Sequence, residues 1–354
     1  MREFGSEHPA VLVPDGYFRS FSGLGYCTWL RSGREALHLV ALNCMGVDRH
    51  PTVLMPAYCC HSMVDPFIKA GWAVRYYPLN EDLTVASATL QNLLTAIRPQ
   101  AVLSMNYYGA TPTDKVIRLI KSIDPDCICI EDFTHYTFSL DLIYNPLVDF
   151  YVSSIRKSVG VCDGAVIIGK EPLDESFVMT GTTEFVMKRK ASQWEKARYR
   201  YTQDQNDKRV FLSQLREQEA GLDHFEGVYR ISDWGKDQLE SINGAEVRFA
   251  RQQNMAHILD LLGGKVESVP GIEKCLEGAP FSLPVLVENR DEIQGVLASA
   301  GVYAPVLWPI PEEARTVCPV SANLADRLLS IPIDQRYGYD DIEDIARVVL
   351  RVCC

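Results

Sequence analysis

Several polar residues that could do chemistry stand where predicted strands end or where a predicted helix begins. They are Ser32, Gly33 and Arg34 at a helix start, Asp132 and His135 after the apolar run CICIE, and Ser153, Ser154 and Lys157 after FYV. A glycine-led helix N-terminus exposes backbone N–H groups to an anion such as phosphate, and serine hydroxyls add further donors. The pattern predicts that a phosphate, a carboxylate and an amine meet in one crevice.

Lys157 and Asp132 have complementary chemistry. A lysine that attacks a carbonyl carbon needs a neutral amine, which burial and the neighbouring Arg156 would favour by lowering its pKa. A carboxylate that faces a pyridine nitrogen keeps that nitrogen protonated, and the protonated ring then accepts electrons from a substrate carbanion. We therefore expect both residues in one cofactor site, although an aspartate that closes a strand is also a common turn residue.

The elements that must position these residues alternate between helix and strand from residue 31 to about residue 170. Helices are predicted at 34–44 and 62–70, within ATLQNLLTAI and within DKVIRLIKSI. Strands are predicted at 52–55 and in the runs AVRYYPL, AVLSMNY, CICIED, FYVSSI and GAVIIG. This alternation favours an α/β fold with a mostly parallel sheet flanked by helices. Ligands bind beyond the carboxyl ends of such strands, where the candidate residues lie.

Residues 183–222 carry many charges and few aliphatic side chains, which predicts a solvated helix. The same stretch could instead grip a nucleotide diphosphate, because basic and aromatic side chains alternate in it. The basic residues are Lys188, Arg189, Lys190, Lys196, Arg198 and Arg200.

A long periodic segment, 232–262, predicts one helix with an apolar face that includes Leu239, Phe249 and Ile258. The strand-like runs SLPVLV and LLSIPI, the helix-like run DEIQGVLASA and a closing helix at 340–352 then predict a small α+β domain. We expect a large domain over residues 1–235, which includes an N-terminal arm, and a linking helix with a smaller C-terminal domain over residues 236–354.

Composition excludes several classes of protein. The 354 residues are 47% hydrophobic, so the chain can bury a large core, and its length suggests about two domains. The net charge of −11 is spread over mixed acidic and basic residues, which disfavours nucleic acid as a partner. No apolar run reaches the length of a membrane helix, and the first residues lack the layout of a signal peptide. We expect a cytoplasmic protein with no membrane partner.

The eleven cysteines lie mostly in apolar strand-like runs, which predicts buried free thiols rather than disulfides. Cys59, Cys60 and His61 lack a second ligand cluster at zinc spacing, so no metal site is expected. A cysteine hydrolase built on these three residues is disfavoured, because neighbouring strand side chains point to opposite faces. Cys353-Cys354 could be a prenylation signal, but the apolar helix-like run before it favours a frayed chain end.

Landmarks across nearly the whole chain resemble, in order and spacing, the DegT/DnrJ/EryC1/StrS family of sugar aminotransferases. The landmarks are SGREAL (32–37), VLMPAY (53–58), GWAVRYYPLN (71–80), LSMNYYGATPTD (103–114), IEDFTH (130–135), KSVGVCDGAVI (157–167), GVYAPVLWPIP (301–311) and LLSIPI (328–333). The poorest match is over 180–230. The resemblance implies the type I fold of pyridoxal phosphate (PLP) transferases and a homodimer with its active site at the subunit interface.

The resemblance also implies roles for individual residues. Lys157 would hold PLP as a Schiff base, since the family has an acidic residue and a glycine six and seven positions later, here Asp163 and Gly164. Asp132 would pair with the pyridine nitrogen, and His135 would act on the cofactor's phenolic oxygen. The remaining cofactor-binding residues would be Gly33, the backbone of Arg34, Ser154 and Ser153.

Two departures affect the cofactor ring and the partner's phosphate. Cys60 stands where the family often has an aromatic residue that stacks on the ring, so Tyr58 or His61 would stack instead. An asparagine that commonly reaches the partner subunit's phosphate falls near Val228, which leaves Arg230 or Ser232 as a replacement.

A third departure lies in the strand before the YYG turn, where Asn106 replaces the usual histidine. Asn106, Tyr107 and Arg230 are therefore candidates for the substrate pocket.

The function implied by the resemblance is transfer of an amino group from an amino acid donor, glutamate, to a keto or aldehyde acceptor. A nucleotide-linked keto-sugar of polysaccharide or natural-product biosynthesis would be the acceptor. Two alternatives stay open: a PLP enzyme of this fold with another reaction or a non-sugar substrate, and a non-catalytic relative. Family members that dehydrate sugars typically replace the lysine with histidine, so Lys157 argues against that branch.

Overall fold

The computed structural model describes residues 3–5, 8, 21, 23–45, 51–181, 183–223 and 227–354. Its strands in chain order are β1 (Phe4–Gly5), β2 (Tyr26–Leu30), β3 (Thr52–Pro56), β4 (Ala73–Tyr77), β5 (Ala101–Met105), β6 (Ile128–Asp132), β7 (Phe150–Ser153), β8 (Ala165–Gly169), β9 (Val178–Met179), β10 (Val228–Tyr229), β11 (Leu283–Leu286), β12 (Val302–Tyr303) and β13 (Leu328–Ile331). Its helices are α1 (Gly33–Asn43), α2 (His61–Lys69), α3 (Ser87–Ile97), α4 (Asp114–Ile123), α5 (Leu140–Ile143), α6 (Glu184–Thr202), α7 (Gln205–Asp223), α8 (Asp233–Glu240), α9 (Gly244–Leu262), α10 (Arg290–Ser299), α11 (Glu312–Val317), α12 (Pro319–Arg327) and α13 (Tyr339–Cys353).

A seven-stranded sheet with the order β2-β8-β7-β6-β5-β3-β4 forms the centre of the fold. The five strands from β7 to β4 run parallel, and β8 runs antiparallel to both β7 and β2. Every residue of β5 and β8 is buried, as expected of strands covered on both faces. The predicted α/β class with a mostly parallel sheet is confirmed, while the edge strand β2 was not predicted.

The start of α1 is set by a local sequence signal. The hydroxyl of Ser32 accepts the backbone N–H of Glu35, and the carboxylate of Glu35 accepts the Ser32 hydroxyl at 2.6 Å. This S-x-x-E spacing is typical of a helix N-terminus in which both residues satisfy each other. Arg31 pairs with Glu35 at 2.8 Å. The contacts hold the first turn of α1, and therefore Gly33, directly after β2.

The prediction of one continuous helix over 232–262 is wrong, because the chain forms two helices, α8 and α9, with a break at 241–243. The side-chain oxygen of Asn243 accepts the backbone N–H groups of Ala245 and Glu246, so it begins a new helix. Leu239 and Ile258 are buried as predicted, but Phe249 is 64% exposed. A small antiparallel sheet of β11 and β13 follows α9 in the C-terminal part.

Residues 183–222 form two helices, α6 and α7, rather than one solvated helix. The two helices share a small cluster of Tyr199, Phe211 and Leu215, separate from the main core. Arg189 and Lys196 are buried, whereas Lys188, Arg198 and Arg200 are exposed. Since a buried cation needs an ionic partner, the basic run is more than a solvated surface.

All eleven cysteines are free thiols, eight of them buried. Across the described ranges, no group of three or more His, Cys, Asp or Glu side chains is arranged to hold a metal ion. No helix among the described residues is long and apolar enough to cross a membrane.

Glu131 is a buried acid on β6, where alternation turns it to the face opposite its neighbour Asp132. Its Oε1 atom has no hydrogen-bond partner within the described residues. Burial raises the pKa of Glu131 to about 8, and a hydrogen bond with Thr113 opposes this only in part. Glu131 is therefore protonated in the folded protein at neutral pH.

We expect Glu131→Gln to stabilise the protein, increasingly so as the pH rises. Below pH 4.5 the carboxyl is protonated in both states, but between pH 4.5 and about 8 only the unfolded chain loses the proton. The free energy of unfolding of the wild type should therefore fall by up to about 1.4 kcal/mol per pH unit over this window. Denaturant unfolding at pH 5 and pH 8 measures this. Glu292→Gln, at an exposed position of α10, is the control. The prediction would be contradicted if the difference in free energy of unfolding between Glu131→Gln and the wild type did not change with pH.

Candidate functional site

Lys157 stands in the reversal between β7 and the antiparallel β8. It ends a short 3₁₀ turn, Ile155–Lys157, so its backbone lies beyond the carboxyl end of β7 while its side chain is exposed. Two neighbouring cavities share Lys157 and Arg156 in their walls. One is narrow and the other has a volume of about 680 Å³. An amine at this position can act on groups bound in either cavity.

The narrow cavity brings together five of the residues predicted from the sequence, namely Gly33, Arg34, Asp132, Ser154 and Lys157. They come from the start of α1, the end of β6 and the segment after β7, which are adjacent because these strands end at one edge of the sheet. Arg156, noted in the sequence as the cationic neighbour of Lys157, also lines this cavity. Sequence reasoning did not single out the other residues of its wall, which are Leu37, Ser62, Met63, Thr134 and Val152.

The first turn of α1 and Ser154 form a cradle for an anion. The Oγ atom of Ser154 is buried and has no hydrogen-bond partner among the described residues. A Cβ atom on Gly33 would lie 3.0 Å from Cβ of Ser154 and 3.4 Å from its Oγ, so a side chain there would crowd the cradle. Because helix N-termini attract anions and a buried hydroxyl needs a partner, these groups fit a phosphate.

Asp132 ends β6 and is held in place by the backbone that follows it. Its Oδ1 accepts the backbone N–H of Thr134 at 2.8 Å, and the hydroxyl of Thr134 in turn accepts the backbone N–H of Ser154 at 3.0 Å. Burial raises the pKa of Asp132, although Thr134 and the charge of Lys157 act in the opposite direction. A buried carboxylate of this kind is stabilised by a cation, such as a protonated ring nitrogen.

His135 lies in the wall of the large cavity between two aromatic rings. Its ring centroid is 4.1 Å from that of Phe281 and 5.3 Å from that of Trp308, with interplanar angles of 11° and 8°. Burial, with the charges of Lys157 and Arg251, lowers the pKa of His135 well below its usual range, so the ring is neutral. Since Nδ1 accepts the backbone N–H of Tyr108 at 3.2 Å, we assign the proton to Nε2, which is then a donor.

Ser153, Tyr58 and His61 do not line either cavity. The hydroxyl of Ser153 is 2.6 Å from that of Thr137, and Ser153 is fully buried. Tyr58 is buried against Trp308, with ring centroids 5.0 Å apart. His61 is exposed at the start of α2.

The three candidates for the substrate pocket also lie outside both cavity walls. Asn106 is buried and its Oδ1 accepts the backbone N–H of Thr111 at 3.0 Å, which holds the turn after β5. Tyr107 is buried, and its hydroxyl donates to the backbone carbonyl of Tyr58. Arg230 pairs with Glu175 at the surface.

Arg251 of α9 is a residue that sequence reasoning missed. Its buried guanidinium donates to the backbone carbonyls of Ser158 at 2.8 Å and Pro280 at 3.0 Å, and to the side chain of Gln335 at 2.8 Å. Burial lowers the pKa of Arg251 to about 10, which leaves it charged at neutral pH. The arginine thus ties the residue after Lys157 to the segment that carries Phe281. No local signal marked it, because its partners are far away in the chain.

Comparison with solved structures defines the class of fold. An aminotransferase described as DegT DnrJ EryC1 StrS from Brucella abortus has 15% identity and a TM-score of 0.64, and the match covers 94% of this chain and 87% of that one. PseC of Helicobacter pylori, an aminotransferase involved in the biosynthesis of pseudoaminic acid, has 13% identity, a TM-score of 0.68 and 99% coverage of both chains. DesV of S. venezuelae has 16% identity and a TM-score of 0.66 over 94% of this chain and 86% of that one. The chain has the type I fold of PLP-dependent aminotransferases, and the resemblance noted in the sequence is confirmed at this level.

A curated relative gives a more particular likeness over part of the chain. The UDP-N-acetyl-3-dehydro-alpha-D-glucosamine 3-aminotransferase of Acidithiobacillus ferrooxidans is 28% identical over 104 residues. The match spans 25% of this chain and only 28% of that relative. No protein-family model matches the chain.

We expect Arg251→Met to lower the free energy of unfolding by at least about 3 kcal/mol, because hydrogen bonds to a buried charge are lost and their carbonyl partners stay buried. Arg248→Met, on the same helix, is the matched control. The guanidinium of Arg248 is bound to Phe138 and to the exposed Asp141, so its loss should cost about 1 kcal/mol or less. Denaturant unfolding of the two variants measures the difference, and equal losses would show that Arg251 has no special role.

Proposed function

We propose that the protein is a PLP-dependent aminotransferase that moves an amino group from an amino acid, glutamate, to a keto-sugar linked to a nucleotide. The observation that carries the proposal is the meeting of Lys157, buried Asp132 and the unpartnered hydroxyl of Ser154 around one narrow cavity. These three groups have the chemistry required for the aldehyde, the ring nitrogen and the phosphate of PLP. The fold shared with aminotransferases supports the same conclusion.

The residues that would hold PLP each match one of its groups. The start of α1 at Gly33 and Arg34, with Ser154, would bind the phosphate, and Asp132 would bind the protonated ring nitrogen. His135 would donate its Nε2 proton to the phenolic oxygen. When bound, PLP supplies a ring that accepts the electrons of a carbanion formed at the substrate carbon.

Lys157 would do the proton chemistry. Its side chain is exposed to both cavities, so its amine can reach a cofactor whose phosphate lies in the narrow cavity and a substrate in the large one. After the amino donor takes its place, the Nζ atom of Lys157 would accept the proton from the donor's α-carbon as a general base and return it as a general acid. The acceptor would react by the same steps in reverse, and ping-pong kinetics should follow.

The nature of the acceptor rests on the large cavity and on the curated relative. A volume of about 680 Å³ has room for more than an amino acid. The matched relative is named for a UDP-linked 3-dehydro sugar, which supports a nucleotide-linked keto-sugar here. The family resemblance supports a homodimer with the active site at the subunit interface, and the sequence analysis predicts a cytoplasmic protein.

We expect Ser154→Ala to weaken PLP binding by about tenfold while leaving the free energy of unfolding nearly unchanged. The hydroxyl has no partner in the described protein, so its loss costs the free protein little, whereas a hydrogen bond to a charged phosphate is worth about 1.5–3 kcal/mol. Ser153→Ala is the matched control, and it should show the opposite pattern, since that hydroxyl bonds Thr137 away from both cavities. Titration with PLP and denaturant unfolding of both variants separate the two roles. Unchanged PLP affinity in Ser154→Ala would count against the phosphate site.

An absorption spectrum tests the chemistry. The protein reconstituted with PLP should show the band of lysine-linked cofactor, and glutamate should bleach it as the amino group is transferred. Lys157→Ala should abolish the band, while Lys170→Ala should keep it, because Lys170 lies just after the end of β8 and pairs with Asp149. Absence of the band in the wild type would reject PLP as the cofactor. A band that no amino acid changes would favour another PLP reaction.

A further inference from the structure

Two buried arginines meet on one carboxylate at the wall of the large cavity. Arg156 donates to both carboxylate oxygens of Glu219, from Nη1 to Oε1 at 2.7 Å and from Nη2 to Oε2 at 3.2 Å. Arg189 donates from its Nη1 to the same Oε1 atom at 3.0 Å. The arginine side chains are only 5% and 2% exposed, whereas the side chain of Glu219 is 44% exposed. The cations are therefore fixed in the protein, and the carboxylate faces the cavity.

The charges at this point favour an anion. Burial by itself raises the pKa of Glu219, but the charges of Arg156, Arg189 and Arg34 outweigh it and lower the pKa to about 2. Glu219 is thus ionised, and one carboxylate faces at least two guanidinium groups. Buried cations are stabilised by an anion, and within the described part of the chain Glu219 is the carboxylate that bonds both arginines.

The position of the pair relative to Lys157 suggests which anion that is. Arg156 directly precedes Lys157 and lines both cavities, while Arg189 and Glu219 line only the large one. In an α-amino acid the carboxylate is attached to the carbon that bears the amine. A donor whose amine replaces Lys157 must therefore place a carboxylate within a few ångströms of that lysine, on the side of the large cavity.

We propose that Arg156 and Arg189 bind a carboxylate of the amino donor, and that Glu219 occupies this site until the donor displaces it. The inference rests on the proposed aminotransferase activity and names the groups that recognise its first substrate. Glu219 itself presents the chemistry that the site accepts, since its side chain ends in the same group as glutamate and other dicarboxylates. Bidentate binding to Arg156 matches the geometry by which arginine recognises carboxylates.

The side chain of Glu219, which lies on α7, can leave the two arginines without disrupting the main core. The apolar cluster of α6 and α7 is separate from that core. Their described contacts with the rest of the chain are mostly polar, such as Lys208 with Glu3 and with the hydroxyl of Tyr303. Their shared interface is also partly polar, since the hydroxyl of Ser192 bonds side chains of α7. Release of Glu219 thus exchanges one carboxylate for another and loses little apolar burial.

Binding of glutarate, an unreactive dicarboxylate, tests the inference by calorimetry on the full-length protein loaded with PLP. We expect Glu219→Gln to bind glutarate about tenfold more tightly than the wild type, because the carboxylate of Glu219 no longer competes with the ligand. Glu217→Gln is the matched control on the same helix, where the side chain is exposed and bonds only the Ser213 hydroxyl among the described contacts. Equal glutarate affinity in Glu219→Gln and Glu217→Gln would overturn the inference.

A second pair of variants keeps the test valid if Glu219→Gln folds poorly. Arg189→Gln should weaken glutarate binding at least about tenfold, whereas Arg216→Gln, at an exposed position of α7, should leave it unchanged. If the arginines instead serve the acceptor's phosphates, Glu219→Gln will tighten binding of UDP but not of glutarate, which would overturn the assignment.

The same measurements on protein without PLP separate this inference from the proposed function. If the wild type takes up no PLP but Glu219→Gln still tightens glutarate binding, the carboxylate site stands and the aminotransferase proposal fails. If PLP binds and glutamate bleaches its band, but glutarate binding is the same in all four variants, the aminotransferase proposal stands and this inference fails.

Discussion

The site depends on how the connection between β7 and β8 is held. This connection carries Lys157 and reverses the chain so that β8 returns antiparallel to β7. Arg251 and Gln335 both donate to the carbonyl of Ser158, one residue after the lysine. At the other end, Asp163 accepts the backbone N–H and the hydroxyl of Ser232 at 2.8 and 2.7 Å. The lysine is therefore fixed between the large sheet and the helices that follow it.

Asp163 illustrates how tightly that end is packed. It is completely buried, and a Cβ atom on Gly235 would lie 2.1 Å from its Oδ1. Only glycine lets the first turn of α8 approach the carboxylate this closely. Asp163, six positions after Lys157, therefore has a structural role in this chain, since it joins the connection between β7 and β8 to the start of α8.

Burial controls the protonation states around the site. It keeps His135 neutral and raises the pKa of Asp132, while Arg251 stays charged because its hydrogen bonds replace water. The narrow cavity thus combines a helix N-terminus, a lone hydroxyl and a carboxylate that a cation would stabilise. The large cavity adds arginines held by Glu219. Each cavity is lined by both acidic and basic side chains, which suits a ligand that has both a phosphate and a protonated ring, and a donor that has both an amine and a carboxylate.

The helical pair α6 and α7 shows where the chain departs from the landmarks seen along the rest of its length. The stretch 180–230 matched the family pattern worst, and it is here that Arg189 and Glu219 enter the wall of the large cavity. Arg156, which directly precedes Lys157, bonds Glu219 and so links α7 to the connection between β7 and β8. Substrate recognition would thus depend on the part of the chain that varies most from the pattern, while the groups expected to bind the cofactor lie in the part that follows it.

The sequence by itself determined the features that depend on near neighbours. The alternation of strands and helices, the start of α1 at Ser32 and Glu35, and the placement of Asp132 and Lys157 after β6 and β7 follow from hydrophobic periodicity and capping within a few residues. The break before α9 also had a local signal in Asn243, but the apolar periodicity on both sides hid it. The tertiary structure alone decided the stacking of His135 between Phe281 and Trp308, the reach of Arg251 to Ser158, and the meeting of Arg156 with Glu219. These partners are 63 to 173 residues apart, and nothing in a local pattern specifies which distant segments pack against each other.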